Sequence, residues 1–241
     1  EFTKNIPSSS NEFNNIPIKD IILQIKQTYQ SSILKYFYNI EVAEYKCSSC
    51  GYKHYNIHNK IISELFINNN SYDNIQSFIN SKYNNNSYEN ITGLKCPVCN
   101  NISINRNLSL YIDNINYFIT SINRYNFKSF LLEKNQQLIN IDNRFSLQTI
   151  DLNKSINTIE YKNNIFDLKS IIIHNGSYNN GHYITINKDK SDIFYLYNDL
   201  NHFKMNYVDF FNSNLLKENS HTFIYQSNII HDLPLSDISL L

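Results

Sequence analysis

The stretch "HNGSYNNGHYITINKDKSDIFYLYND", residues 174–199, carries two histidines, two glycines around a polar loop, and an Asn-Asp pair behind an aromatic run. The charged "KDKSD" at 188–192 interrupts two apolar-alternating runs, so the segment reads as a β-hairpin with a five-residue loop. Pairing Asn187 with Ile193 and counting outward sets His182 opposite Asn198. Opposed residues share a face, with Cβ atoms about 4.5–5.5 Å apart. An amide oxygen there accepts from one imidazole nitrogen and leaves the other free to take a proton. That is the base-and-orienter half of a Cys-His-Asn or Ser-His-Asp/Asn arrangement. Asp199 falls on the other face unless a bulge turns it back, and a register slip would exchange the two. Asn198 is therefore the expected orienter and Asp199 the alternative. Gly176 and Gly181, two of only 4 glycines, suit a loop that turns sharply and lets another backbone approach. His174, ending "SIIIH", is expected to be a structural hydrogen-bonding residue.

Outward from the hairpin, all four cysteines fall in two pairs of identical spacing, "CSSC" at Cys47 and Cys50 and "CPVC" at Cys96 and Cys99. A two-residue gap lets both thiolates of a tight turn point at one metal, and two such turns complete a tetrahedral zinc site. A redox dithiol normally occurs once and opens a helix, and neither pair introduces a helical period. One structural zinc on Cys47, Cys50, Cys96 and Cys99 is the expectation. His54 and His58 lie near the first pair, but the tetrahedron is already full, so they are expected to be ordinary surface residues. Between the pairs, "INNNSYDN" and "SKYNNNSYEN" read as low-complexity loop insertions. A metal would clamp the base of that excursion, and closing a longer loop costs only slowly increasing entropy.

With 41% hydrophobic residues, the 241-residue chain can bury a real core. Its abundant Asn, Ile, Lys, Tyr and Phe share A/T-rich codons, so genome bias explains the skew. The charge is balanced, 21 basic against 21 acidic residues, and no basic stripe supports a nucleic-acid partner. No run of about 18 apolar residues argues for a membrane span, and no signal-peptide pattern opens the chain. A reducing compartment, cytoplasmic or nuclear, is expected. The first residue is Glu rather than Met, which points to part of a longer chain.

Ile18, Ile21, Ile22, Ile25 and Tyr29 follow helical spacing, and "NIEVAEYKC" alternates as a strand into the first cysteine pair. Strands are expected in "ISINRNLSLYI", "YFITSINRYNF", "QQLINIDNRFSL", "FDLKSIIIHNG", "HYITINK", "DIFYLYN" and "SHTFIYQS". The result is an α+β fold: a mostly antiparallel sheet, a zinc-clamped projection, and helix concentrated near the N-terminus. The organisation expected is a lead-in and helix over 1–32, a clamped region over 33–111, a sheet region with the histidine segment over 112–229, and a tail over 230–241.

These residues resemble the ubiquitin-specific proteases, papain-like deubiquitinating cysteine peptidases. The family's histidine box is matched by His174-x-Gly176, Gly181-His182-Tyr183 and Phe194-x-x-Tyr197-Asn198-Asp199; Phe194 stands where the family usually has Trp. The segment "FITSINRYNF", with Arg124-Tyr125, resembles a structural strand of the family, the cysteine pairs its zinc-bearing fingers, and "HTFIYQ" its closing strand. The resemblance spans roughly residues 33–227. It implies a palm with mostly antiparallel sheet and a zinc-ribbon fingers projection. His182 would be the general base, Asn198 its orienter, and Gly181 and Tyr183 substrate-contacting. The substrate would be the isopeptide bond after the C-terminal Gly of ubiquitin, and ubiquitin or its conjugates the partner. The family's nucleophilic cysteine box and helical thumb have no counterpart in this sequence. The intact His182/Asn198 pair favours part of a working enzyme; the alternative is a catalytically inactive ubiquitin-binding scaffold of the same fold, and a third, weaker reading is a zinc-ribbon interaction module.

Overall fold

The computed structural model describes residues 18–28, 34–67, 72–83, 87–112, 117–128, 131–152 and 160–228. The expected lead-in, Tyr29 and the C-terminal tail lie outside them. The described elements begin with α1 (Ile18–Thr28), α2 (Leu34–Phe37), β1 (Asn39–Cys47), β2 (Lys53–Lys60), β3 (Ile62–Phe66), α3 (Ile75–Lys82), β4 (Glu89–Ile91) and β5 (Ile104–Tyr111). There follow β6 (Tyr117–Asn123), β7 (Tyr125–Lys128), β8 (Leu131–Lys134), β9 (Arg144–Asp151), β10 (Glu160–Gly176), β11 (Gly181–Lys188) and β12 (Phe194–Asn198). The last are β13 (Asn201–Lys204), α4 (Tyr207–Asn212), α5 (Asn214–Asn219) and β14 (Ser220–Ser227).

Strands dominate because Ile, Phe, Tyr and Thr alternate with polar residues at period two, as in β9, where Phe145, Leu147 and Thr149 face inward. A four-stranded sheet runs β2-β1-β5-β4, and an eight-stranded sheet runs β13-β12-β11-β10-β14-β6-β3, with β9 paired to β10. All pairings in both are antiparallel except β3 with β6. The core of the larger sheet is built on stacked rings. Phe145 of β9 stacks on Phe166 of β10 at 5.1 Å and meets Tyr225 of β14 edge-on at 4.6 Å.

Helix is not confined to the N-terminus. The segment between the two Asn tracts forms α3, burying Ile75, Phe78 and Ile79 against the larger sheet. An asparagine of the tract is its cap: Asn74 Oδ1 accepts from the Ser77 N–H at 2.8 Å while Ser77 Oγ accepts from the Asn74 N–H. The α4–α5 pair covers β12, with Phe210 stacked on Phe194 at 4.5 Å. The expected strand "QQLINIDNRFSL" begins only at Arg144. The residues before it run irregularly, and the carbonyls of Asn135 and Gln137 are turned toward a buried guanidinium.

That guanidinium is Arg124, only 1% exposed. Its Nε donates to the Ser220 carbonyl at 2.8 Å, Nη2 to Lys217 at 2.6 Å, and Nη1 to Gln137 at 2.9 Å and Asn135 at 3.3 Å. It ties the end of β6, the irregular run and the C-terminus of α5 together without a bonded carboxylate. Burial brings it down to about 10, still charged at neutral pH. Arg124→Met should leave several carbonyls without donors and cost about 3 kcal/mol, read by urea denaturation; a loss below about 1 kcal/mol would contradict this role.

Candidate functional site

The first cluster stands at the end of the four-stranded sheet. Each cysteine pair forms a knuckle: the Cys47 N–H donates to the Tyr52 carbonyl at 2.8 Å and the Gly51 N–H returns to Cys47 at 3.0 Å. In the second knuckle the Cys96 N–H donates to Asn101 at 2.8 Å and the Asn100 N–H returns to Cys96 at 2.9 Å. The residue after each second cysteine takes a left-handed conformation, Gly51 at φ +74 and Asn100 at φ +60, the two residue types that adopt it most readily. Ser48 N–H to the Ser103 carbonyl, at 3.1 Å, brings the knuckles together.

The four sulfurs lie within 4.8 Å of one another, with Cys47 to Cys99 and Cys50 to Cys96 each at 3.6 Å. A tetrahedron of thiolates about 2.3 Å from a central ion has edges of about 3.8 Å, so this donor set fits a single thiophilic metal. The Cys50 N–H aimed at Cys47 holds its thiol down at about 6 against the cost of burial. At Cys50 the Tyr52 N–H pulls downward, but burial and the three other sulfurs push it up to about 12. His54 is not among the ligands; it stacks on Tyr45 at 4.7 Å, and burial lowers its pKa.

The second cluster is the histidine hairpin. The observed register pairs Asn187 with Tyr195 and Lys188 with Phe194, two residues away from the Asn187–Ile193 pairing expected. The loop keeps five residues but starts one later, because Asp189 Oδ1 accepts from the N–H groups of Ser191 and Ile193 at 2.8 and 2.9 Å. Asp192 completes the turn at φ +60. A slip of two preserves the face of every side chain. His182 and Asn198 therefore meet diagonally rather than directly opposite, with Nε2 2.6 Å from Oδ1.

Asp199 is turned back as well, by a left-handed backbone (φ +51) rather than a bulge, which sets its Oδ2 3.7 Å from His182 Nε2. Since Oδ1 can only accept, Nε2 carries the proton and Nδ1 presents its lone pair. The His182 side chain is 50% exposed. Tyr183, 60% exposed, stacks its ring on His174 at 4.5 Å. His174 is buried, with Nδ1 2.7 Å from the Tyr125 hydroxyl, and burial together with Lys134 lowers its pKa. It hydrogen-bonds from inside the fold, as expected of its place at the end of an apolar run. Tyr125 also meets Tyr178 edge-on at 5.4 Å. These two rings wall a groove of about 400 Å³ with Glu64, Asn123, Leu132 and His221. Sequence reasoning did not foresee the grip of Lys134 on the His174 and Gly176 carbonyls; a lysine ending a four-residue strand carries no distinguishing signal.

This fold and these two clusters define the class. The chain belongs to the ubiquitin carboxyl-terminal hydrolase family, whose family model matches residues 6–224. Among solved structures it is similar to the yeast SAGA DUB module with mutant Sgf73, at a TM-score of 0.69 and 15% identity, over 86% of this chain and 45% of that one. It is similar to the SAGA Ubp8/Sgf11/Sus1/Sgf73 DUB module bound to ubiquitin aldehyde, at 0.69 and 17%, over 88% and 48%. The SAGA DUB module with a Cys-to-Ala variant of Ubp8, bound to monoubiquitin, matches at 0.67 and 17%, over 88% and 48%. The chain thus spans less than half the length of these solved chains. No curated protein matches it.

Gly181 marks the tightest point of the hairpin, because a Cβ there would stand inside van der Waals contact with the His174 ring. Gly181→Ala should displace that ring and cost about 1–3 kcal/mol in chemical denaturation, with loss of the Tyr125–His174 hydrogen bond by NMR. An unchanged His174 environment would contradict the packing described.

Proposed function

We propose that this chain is the palm and fingers part of a ubiquitin-specific thiol protease, a papain-like peptidase that hydrolyses the isopeptide bond after ubiquitin's C-terminal Gly. The observation that carries the reading is the 2.6 Å contact of His182 Nε2 with Asn198 Oδ1 on a half-exposed ring. It leaves Nδ1 as a base facing outward. Nδ1 takes the proton of a cysteine thiol and the thiolate attacks the isopeptide carbonyl. Returning that proton to the lysine amine expels it and leaves a thioester, which water hydrolyses with the same imidazole as base. Asn198 fixes the ring, and Asp199, 3.7 Å away, stabilises the imidazolium that forms transiently. The groove walled by Tyr125 and Tyr178 gives an extended tail a place beside the same loop, and Gly181 and exposed Tyr183 are the substrate-contacting positions.

The nucleophile has to come from outside these 241 residues, since the chain's 4 cysteines are the four of the knuckles. Cys47, Cys50, Cys96 and Cys99 would hold one structural zinc, which supplies cross-linking of the fingers rather than reactivity. Keeping those thiols available requires a reducing compartment, cytoplasm or nucleus. A second reading, a ubiquitin-binding scaffold without catalysis, is favoured by the same lack of a cysteine beyond the four of the knuckles. The two part on His182. In a longer protein that supplies the cysteine, His182→Ala should lower ubiquitin hydrolysis by about 10²–10⁴-fold while ubiquitin affinity, read by titration calorimetry, is retained. Ubiquitin bound without hydrolysis, by the wild type and His182→Ala alike, would leave the scaffold reading in place.

The zinc proposal is tested by metal analysis of the purified chain, which should give one zinc per chain, displaced by Cys47→Ser with loss of folded fingers. A stably folded, metal-free protein would sink it.

A further inference from the structure

The proton carrier of the site hangs on the end of one strand. Of β11, only residues from Thr185 onward pair with β12, so Gly181 to Ile184 have β10 as their strand partner. There His174 faces Tyr183, Asn175 faces His182, and Gly176 faces Gly181. On its other side β10 loses β14 after the pair Ile173 and Ser220. Residues 174–176 therefore stand beyond the sheet on that side, and the carbonyls of His174 and Gly176 flank the residue opposite His182.

The missing strand neighbour is replaced by one ammonium group. Lys134, the last residue of β8, sends Nζ to the His174 carbonyl, to the Gly176 carbonyl at 3.2 Å and to Asn219 Oδ1 of α5 at 2.7 Å. Three acceptors match the three donors of an ammonium, and none of the three is a carboxylate, so the bonding is spent on geometry rather than on charge neutralisation. The next interaction reinforces it: the Tyr125 hydroxyl of β7 lies 2.7 Å from His174 Nδ1. The β7–β8 hairpin thus grips the β10 terminus through both its strands.

Resting on the reading of His182 as the base, we propose that Lys134 is a positioning residue for it. By fixing the two carbonyls that flank Asn175, it sets where the Gly181–His182 end of β11 lies and so keeps Nε2 on Asn198. Lys134 touches neither substrate nor reacting atoms; it acts through the backbone of β10.

The test is imidazole NMR on the 241-residue chain, comparing wild type with Lys134→Met, which keeps the stem, and Lys134→Arg, which keeps charge and donors. Wild type should show His182 as the Nε2–H tautomer with a slowly exchanging proton. Lys134→Met should accelerate that exchange by about tenfold and mix the tautomers, with the knuckle amides unmoved, and Lys134→Arg should restore most of the protection. If Lys134→Met does not fold, Asn219→Ala, which loosens the ammonium but leaves both carbonyls bonded, should give a smaller acceleration in the same direction. His182 exchange and tautomer unchanged in the folded variant overturn the proposal. Because this readout needs no nucleophile, it can fail while the protease reading stands, and the protease reading can fail while it succeeds.

Discussion

The molecule is organised by the length of one strand. β10 runs 17 residues, longer than any of its neighbours, so that no single partner covers it. Its first half pairs with β9 and its second half with β14 and β11. Inward residues along it, from Phe166 through Leu168, Ile171 and Ile173, are fully buried, which fixes its register against every neighbour at once. Whatever sits at its far end is placed with the accuracy of the whole sheet. What sits there is the turn from Gly176 to Gly181 and, one residue on, His182.

Where that sheet ends, two long cationic side chains, Arg124 buried and Lys134 half-buried, take over the work of strands. Arg124 gathers carbonyls from three segments, and Lys134 gathers two carbonyls and an amide oxygen. A buried backbone carbonyl without a donor is expensive, and a long side chain with several N–H groups satisfies irregular backbone that no ladder can reach. Both residues lie on the β6–β8 run, which is how a short hairpin outside the main sheet comes to shape the histidine site.

Much of this was legible in the sequence, and the pattern of success is physical. The run NIEVAEYKC gave β1 at its observed bounds because the alternation of apolar and polar residues is local, even though the fold buries both faces, Glu41 and Glu44 included. The His182–Asn198 meeting survived an error of two residues in register, because parity decides the face and the loop chemistry of Asp189 decides only the offset. The four cysteines were legible because a tetrahedral site demands a fixed spacing. What failed was helix: α3, α4 and α5 are 8 residues or fewer, and α3 lies between Asn tracts that composition marks as loop. Its cap is one of those asparagines, so the residue type that argued against structure there begins it. Lys134 was beyond reach for another reason, since its position depends on a chain reversal remote from any pattern it belongs to, whereas Asp199 stood in the sequence as the alternative orienter.

The proposed role of His182 as the base of a ubiquitin hydrolase requires a nucleophilic cysteine other than the four of the knuckles. It is tested most directly by reacting the longer protein with ubiquitin bearing a C-terminal thiol-reactive group and mapping the adduct by mass spectrometry. One adduct is expected, on a cysteine other than Cys47, Cys50, Cys96 and Cys99. An adduct on one of those four, or none from a protein that binds ubiquitin, would contradict it.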